Sequence, residues 1–281
     1  MREPPPAWED GVVPHDIRLI AVDMDGTLLD GEGNIPDPLW SLLPRLAERG
    51  VAFVPASGRQ LATLQRSFGE AAGEMTFIAE NGAYVVRAGV EVSSDAIDRE
   101  VVERVVRHLR DLGERGYDLG VVLCGKRSAY IERTDDAFRA EADTYYAALE
   151  AVDDILEVDD DVLKIAIYDF AVAEHSVGRA LDEIAETHRV VVSGRHWVDI
   201  MNLHVDKGAA LARLQEALDV VPAQTAAFGD YLNDLEMMDA ADWSYAMREA
   251  HPEVVARARY RAPSNLDHGV VTTIRDLFPE S

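Results

Sequence analysis

One short stretch constrains the fold of this 281-residue chain more than any other: residues 18–29, Arg-Leu-Ile-Ala-Val-Asp-Met-Asp-Gly-Thr-Leu-Leu. Its uninterrupted apolar run indicates a strand that is covered on both faces. The run ends in two carboxylates, Asp23 and Asp25, and then in Gly26 and Thr27, where a chain can turn sharply and direct backbone N–H groups at an anion. A polar turn after a strand is the alternative interpretation, and the rest of the chain decides between the two.

Strands and helices alternate on both sides of a long middle segment. The first part alternates a helix at 37–49, a strand at 51–56, a helix at 60–71 and a strand at 76–79, and the same alternation resumes with a helix at 206–218. This rhythm predicts a parallel sheet. The middle segment contains hairpin signals, which are typical of antiparallel pairing. We therefore expect an α/β fold with a Rossmann-like core domain of residues 17–83 and 202–281, an α+β insert of residues 84–201 and a flexible lead-in of residues 1–16.

Charge and composition exclude several classes of partner. The net charge is −25 and the pI is about 4.5, so nucleic acid and anionic membranes are repelled and neither is an expected partner. Anionic substrates are repelled as well, and a phosphate site must therefore carry positive charge of its own. The chain has only three lysines, Lys126, Lys164 and Lys207. Each lysine in a suggestive place is therefore informative.

The single cysteine and the amino-terminal residues bear on localisation. Cys124 follows an apolar run and is expected to be buried, and one cysteine forms neither an internal disulfide nor a cysteine metal cage. The first residues lack the apolar segment of a signal peptide, and no uncharged apolar stretch approaches the length of a membrane span. These features predict a cytoplasmic protein.

Reactive residue types cluster at the predicted ends of strands and starts of helices. They are Asp23 with Asp25, Ser57, Lys207, and Asp230 with the pair Asn233–Asp234. All carboxyl ends of a parallel sheet lie at one edge, so these distant residues are expected to converge. Carboxylates can attack phosphorus and move protons, Mg²⁺ can screen the two anions from each other, and a hydroxyl and an ammonium can bind phosphate oxygens. Taken singly, each residue could be an ordinary turn or helix-start residue, whereas the ordered set predicts phosphoryl transfer.

The ordered set also resembles a known family. The quoted motifs are Asp-Met-Asp-Gly-Thr (23–27), Ala-Ser-Gly-Arg (56–59), Asp-Lys-Gly (206–208) and Gly-Asp-Tyr-Leu-Asn-Asp-Leu-Glu-Met (229–237). They resemble the four motifs of the haloacid dehalogenase superfamily, and more narrowly those of Cof-like phosphatases with a large type IIB cap. Glu80-Asn81-Gly82-Ala83 extends the match. Met247-Arg248-Glu249-Ala250 departs from the family pattern, which we interpret as a difference at the rim of the site.

The resemblance implies a role for each matching residue. Asp23 would be the nucleophile that forms an aspartyl-phosphate, and Asp25 the general acid and base. Mg²⁺ would be held by Asp23, the backbone carbonyl of Asp25, Asp230 and Asp234. The phosphate would be bound by Gly26, Thr27, Ser57, Gly58 and Lys207, with Asn233 in support.

The insert would then be the cap, which closes over the sheet edge and contacts the leaving group. Arg195, His196 and Asp199 are candidates for substrate specificity by their position at the last strand of the insert. The alternative is a turn followed by a solvated strand face. Lys164 lies inside a predicted strand and is expected to be paired on the exposed face of its sheet.

These inferences predict a Mg²⁺-dependent phosphatase that hydrolyses a small phosphorylated metabolite such as a sugar phosphate. A phosphotransferase such as a hexose phosphomutase would use the same residues to transfer phosphate to a sugar hydroxyl. A non-catalytic receiver module, phosphorylated on Asp23 as a signal, is the alternative from another class. A receiver needs neither Asp25 nor a cap, which favours the enzyme.

Overall fold

The computed structural model describes residues 16–279. The predicted lead-in of residues 1–16 lies outside this range except for Asp16. Within the range, no helix has both the length and the apolar character that crossing a membrane requires. The described residues form two sheets, each with helices of its own.

The larger sheet is built outward from the strand that ends in Asp23. β1 (Leu19–Asp23) pairs in parallel with β2 (Ala52–Ala56) on one side and with β12 (Thr225–Gly229) on the other. The other strands are β3 (Thr76–Ala79), β4 (Tyr84–Arg87), β5 (Val90–Ser94), β13 (Trp243–Ala246) and β14 (Tyr260–Arg261), and the order is β14-β13-β12-β1-β2-β3-β4-β5. The strands from β14 to β3 are parallel, and β4 is antiparallel to β3. The predicted α/β fold with a parallel-sheet core is confirmed.

Apolar helix faces cover this sheet. The helices are α1 (Asp37–Glu48), α7 (Lys207–Leu218), α8 (Leu235–Asp239), α9 (Pro252–Arg257) and α10 (Gly269–Leu277). A further helix, α2 (Leu61–Phe68), has its first residues in the second compact unit described below. The alanines and leucines of α7 recur at helical spacing and predict one apolar face, and Ala210, Leu211 and Leu214 are indeed buried in one cluster with residues of β1 and β12. Burial on this face fixes the rotation of α7 and thereby directs its first residue, Lys207, inward.

The smaller sheet has helices packed on both faces. Its strands are β6 (Leu119–Gly125), β7 (Ala129–Ile131), β8 (Leu149–Ala151), β9 (Val162–Asp169), β10 (His188–Val192) and β11 (Trp197–Asn202), in the order β10-β11-β9-β6-β7-β8. Its helices are α3 (Arg99–Glu114), α4 (Asp136–Tyr145), α5 (Val177–Ala180) and α6 (Asp182–Ala185). Ile165 and Ile167 pack with α3, whereas Ala166 and Tyr168 lie in a second cluster with Phe138 of α4. Successive side chains of β9 therefore point to opposite faces of the sheet and pack into two different apolar layers.

The chain divides into two compact units. The first contains the described residues up to Gly58, Ser67–Ser93 and those from Asp206 onward, and the second contains Arg59–Arg66 and Ser94–Val205. Within the second unit, Thr63 Oγ1 donates to the carbonyl of Tyr145 at 2.9 Å, which ties the start of α2 to this unit. The insert expected at 84–201 thus differs from the second unit in its limits.

One predicted feature lies in a different sheet from the expected one. The sequence analysis places the hairpin of β4 and β5 in the insert, but both strands extend the larger sheet. The reason is the short connection Glu80–Gly82, which brings β4 back antiparallel to β3 and so continues the sheet that β3 belongs to.

Candidate active site

The turn after β1 places Asp23 at the carboxyl edge of the larger sheet. The strand is buried along its whole length, and Asp23 is only 6% exposed. The next residues, Met24–Leu28, form one irregular helical turn in which Gly26 has φ +79°. A side chain at Gly26 would overlap the carboxylate of Asp230, so glycine is needed for both the dihedral angle and the close approach. The turn therefore brings the first and fourth motifs together.

Lys207 stands between two carboxylates at the start of α7. Its side chain is fully buried, and its Nζ donates to Asp23 Oδ1 and, at 2.7 Å, to Asp234 Oδ1. Asp206 caps the same helix, because its side chain accepts from the backbone N–H of Ala209. The cap fixes where α7 begins, and that start sets the depth at which the ammonium lies.

The loop after β12 supplies two more carboxylates. Asp234 is fully buried, and its Oδ2 accepts from the backbone N–H groups of Asp230 and Tyr231 at 3.0 and 3.2 Å. Thr27 Oγ1 donates to Asp230 Oδ1 at 2.9 Å. The hydroxyl of Thr27, expected to bind phosphate, is thus also the group that orients Asp230.

Three of the four acids predicted to hold a metal form one cluster. Asp23, Asp230 and Asp234 each offer a carboxylate oxygen, and these oxygens lie within 4.8 Å of one another. The carboxylate of Asp25 is not one of the three, and its side chain is exposed. Three carboxylates against one ammonium leave two negative charges in excess, which one divalent cation balances. Hard oxygen donors in this number fit Mg²⁺, which completes its coordination with water or phosphate oxygens.

The electrostatics of the cluster follow from burial and charge. Burial, together with the repulsion of Asp234, raises the pKa of the Asp23 carboxyl well above its usual range despite the opposing effect of Lys207. Burial also raises the pKa of Asp230, against the hydrogen bond from Thr27. For Lys207, burial acts to lower the pKa, but the charges of Asp23 and Asp234 outweigh it and the pKa is raised. The ammonium therefore stays charged, while burial and mutual repulsion disfavour the ionised forms of Asp23 and Asp230.

The second motif lies at the end of the neighbouring strand. Ser57 follows β2 and is buried, and its backbone N–H donates to the carbonyl of Ile78 at 2.9 Å. Asn81 lies beside it: the backbone N–H of Asn81 donates to Ser57 O at 3.0 Å, and Asn81 Oδ1 accepts from Asn233 Nδ2 at 3.2 Å. Asn81 belongs to the Glu80-Asn81-Gly82-Ala83 match, but the motif resemblance implies no role for it. The available signal was its position at the end of a third parallel strand.

The candidates for substrate specificity all lie in the second unit. Arg195 is exposed, and its carbonyl accepts from the backbone N–H of Ala173. His196 is half-buried, with Nδ1 at 2.9 Å from the carbonyl of Asp169 and 2.7 Å from that of Ala171. Asp199 is buried, and its Oδ2 lies 3.7 Å from Lys164 Nζ.

Lys164 corrects one expectation. It is paired, as predicted, but it is buried at 3% exposure rather than on an exposed face. The reason is that β9 lies inside its sheet, between β11 and β6, and the face that carries Lys164 is covered. The same contact shows that Asp199 does not lie on a solvated strand face.

The four motifs are therefore assembled at one edge of the larger sheet, and comparison with known proteins gives them a family. A family model described as haloacid dehalogenase-like hydrolase matches residues 20–274. The chain belongs to the haloacid dehalogenase-like hydrolases.

Individual relatives narrow this assignment. The Escherichia coli 5-amino-6-(5-phospho-D-ribitylamino)uracil phosphatase YbjI is 35% identical over 92% of this chain and 95% of that protein. YcsE of Bacillus subtilis, a phosphatase with the same named substrate, is 26% identical over 92% of this chain and 95% of its own. The structure of the subclass IIB sugar phosphatase BT4131 has a TM-score of 0.76 and 18% identity, covering 92% of this chain and 98% of that one, which shows a shared fold.

These findings confirm the family inferred from the motifs. This haloacid dehalogenase-like hydrolase is a Cof-like phosphatase, an enzyme that hydrolyses phosphoric monoesters of small metabolites.

Proposed function

We propose that this phosphatase works with Mg²⁺ through an aspartyl-phosphate on Asp23. The observation that supports the proposal most is the position of Asp23, a buried carboxylate at a strand end that contacts Lys207 and shares a cluster with Asp230 and Asp234. Such a carboxylate is held in one orientation, as an in-line attack on phosphorus requires.

In the first step, an oxygen of Asp23 attacks phosphorus, a bond forms between them, and the bond from phosphorus to the leaving oxygen breaks. Asp25 gives its proton to that oxygen, so the substrate departs as an alcohol. In the second step, Asp25 takes a proton from water while the water oxygen attacks phosphorus. The bond to Asp23 breaks, and inorganic phosphate is released.

The other motif residues of the first unit would bind the phosphate or the metal and would not react covalently with the substrate. Lys207, Ser57 and Gly58 would hold the non-bridging oxygens, and Gly26 and Thr27 would direct N–H or O–H groups at the same phosphate. Mg²⁺ would be held by Asp23, the backbone carbonyl of Asp25, Asp230 and Asp234, and when bound it supplies the positive charge that lets two anions meet.

For the substrate, we infer a phosphate ester of a polyol chain that carries a heterocycle. The two relatives described above are both named for 5-amino-6-(5-phospho-D-ribitylamino)uracil. Its ribityl phosphate is a sugar-alcohol phosphate, which is close to the sugar phosphate that the sequence analysis expects. Arg195, His196 and Asp199 remain our candidates for contacts with the leaving group. We propose that the cap occupies the part of the predicted segment 84–201 that follows β5, because β4 and β5 belong to the larger sheet.

A substrate panel tests the proposal. Phosphate release should be measured with Mg²⁺ from p-nitrophenyl phosphate, glucose 6-phosphate and 5-amino-6-(5-phospho-D-ribitylamino)uracil, with kcat/KM expected to be highest for the last. Asp23→Asn should abolish turnover of all three, while circular dichroism shows an intact fold. Full activity of D23N would remove Asp23 from the role of nucleophile.

The same assay separates the alternatives. An isomerised sugar phosphate without net phosphate release would identify a phosphomutase. Stable phosphorylation of the wild type without turnover would identify a receiver module. EDTA should silence a Mg²⁺-dependent phosphatase, and unchanged activity in EDTA would refute the metal assignment.

A further inference from the structure

The turn between β3 and β4 has an uncommon backbone. Glu80, Asn81 and Gly82 are consecutive and all have positive φ, at 50°, 55° and 103°. Non-glycine residues adopt such angles rarely, and asparagine does so more readily than most. Glu80 and Asn81 are also buried, so the turn is held by its surroundings rather than exposed as an ordinary loop. A strained, buried turn of this kind is retained where the surrounding structure determines it.

The surroundings of the turn are three of the four motif loops. On the second motif, the backbone N–H of Asn81 donates to Ser57 O at 3.0 Å, and a Cβ added to Gly58 would lie 2.9 Å from Asn81 Oδ1. On the fourth, Asn233 Nδ2 donates to Asn81 Oδ1 at 3.2 Å.

The third motif meets the next residue of the turn. A Cβ added to Gly82 would overlap the backbone carbonyl of Asp206, the residue that caps α7 ahead of Lys207. One turn thus touches the loops that carry Ser57, Lys207 and Asn233, although these loops are far apart in the sequence.

We propose that Asn81 is a positioning residue of the phosphate site. Its side-chain amide fills the space beside Gly58 and accepts from Asn233, and so keeps the Ser57–Gly58 loop and Asn233 in fixed register. The inference rests on the proposed function and deepens it by assigning the residue that aligns the binding groups. Asn81 tolerates the left-handed backbone and still presents an acceptor oxygen, and Gly58 leaves the space in which this amide lies.

The main test is the variant Asn81→Gly. Glycine keeps the positive φ without strain but removes the amide, so the fold should be retained. We expect kcat/KM for p-nitrophenyl phosphate to fall by about 10- to 100-fold, as for other small displacements of binding groups. The matched control is Ala88→Gly, at another non-glycine residue with positive φ (47°), which lies in the exposed turn of the β4–β5 hairpin and should leave kcat/KM unchanged.

Two further variants distinguish positioning from a general structural role. Asn233→Ala removes the other end of the same hydrogen bond. Because the two residues act together, kcat/KM of the double variant N81G/N233A should lie within about twofold of that of the less active single variant. Asn81→Asp keeps an acceptor for Asn233 Nδ2 and should retain more activity than N81G. Multiplicative losses in the double variant, or wild-type activity in N233A, would overturn the inference even if N81G folds poorly.

A binding measurement separates this inference from the proposed function. The dissociation constant of inorganic phosphate, measured by calorimetry with Mg²⁺ present, should rise about tenfold in N81G and N233A and stay unchanged in A88G. If N81G and N233A bind phosphate more weakly but the wild type hydrolyses none of the substrates, the positioning role is supported and the proposed reaction is rejected. If N81G shows normal turnover and normal phosphate binding, the positioning role is rejected and the proposed reaction stands.

Discussion

At the candidate site, the acids differ in the hydrogen bonds that orient their carboxylates. The carboxylate of Asp230 accepts from the hydroxyl of Thr27, whereas that of Asp234 accepts from two backbone N–H groups and from Lys207. A carboxylate held by several donors keeps its orientation when one is lost. We therefore expect the geometry of Asp230 to be disturbed more easily than that of Asp234.

Replacing Thr27 with valine should weaken metal binding. Thr27→Val preserves the shape of a side chain that is almost fully buried but removes the hydroxyl that orients Asp230. Loss of a residue that supports a metal ligand typically lowers metal affinity by about 10- to 100-fold, and the Mg²⁺ concentration for half-maximal phosphatase activity should rise by that factor. Thr273→Val removes a similar hydroxyl that bonds only within α10 and is the control. An unchanged Mg²⁺ requirement in T27V would show that Asp230 does not depend on this hydrogen bond.

His188 should make the stability of the second unit sensitive to acid. Burial, reinforced by the nearby charge of Arg104, lowers the pKa of His188. The unfolded chain binds a proton as the pH falls through about 6.5, whereas folded His188 resists protonation, so its contribution to stability is complete above that pH and is lost below it. His188→Gln should therefore lose less of its free energy of unfolding between pH 7.5 and pH 5.5 than the wild type, as measured by urea denaturation. The exposed His175→Gln is the control, and an equal loss in wild type and H188Q would contradict the prediction.

At the scale of elements, the contact between α7 and α8 sets the position of Lys207. A Cβ added to Gly208 would overlap the backbone of Glu236, so the two helices approach as closely as their backbones allow. Gly208→Ala should push α7 away, which would reduce stability by about 1–3 kcal/mol and lower kcat through displacement of the ammonium. Gly113→Ala in α3 meets no atom within 4 Å and should instead raise stability by about 0.5 kcal/mol. The measurements are thermal denaturation and phosphatase kinetics of both variants, and equal effects would refute the packing argument.

Elements held by local patterns could be predicted from the sequence, and those made by distant pairing could not. The sequence alone predicts a helix over 136–149, but the helix ends at Tyr145, and Leu149–Ala151 pairs in parallel with β7 to form β8. Leu, Glu and Ala favour helices locally, so nothing nearby indicates that strand. The sequence also predicts one helix over 171–186, but three short helical segments, the last two being α5 and α6, replace it. The carboxylate of Asp169 accepts there from the N–H groups of Ala171 and Val177.

The residues of the candidate site also divide into those that the local sequence pattern predicts and those whose contacts depend on distant parts of the chain. Asp23, Ser57 and Asp230 could be predicted because each ends a strand of a parallel sheet, and the sheet brings such ends together. The contacts of Asn81 could not, because they depend on a positive φ at Glu80, a residue type with no preference for it. Burial of Lys164 likewise depends on a charge partner from another strand, Asp199.

For the whole molecule, we expect the negative charge to make a bound cation stabilising. The chain carries a net charge of −25, and the cluster of Asp23, Asp230 and Asp234 adds a local excess that Lys207 only partly balances. Charges farther away than about 8 Å are largely screened at physiological ionic strength. The repulsion within the cluster is therefore the part that matters for folding, and a ligand that relieves it should stabilise the protein.

Magnesium should raise the melting temperature through this cluster. At about 100 times its dissociation constant, a ligand of the folded state adds about 2.7 kcal/mol, which for a chain of this size corresponds to a shift of roughly 5–10 °C. Asp230→Asn should lose most of the shift, yet melt no lower than the wild type without Mg²⁺, because it removes one of the mutually repelling charges that raise the pKa of Asp23. Asp239→Asn, which changes a half-exposed acid paired with Arg257, should keep the full shift. Differential scanning fluorimetry in EDTA and in Mg²⁺ measures all three proteins, and a full Mg²⁺ shift in D230N would place the cation elsewhere.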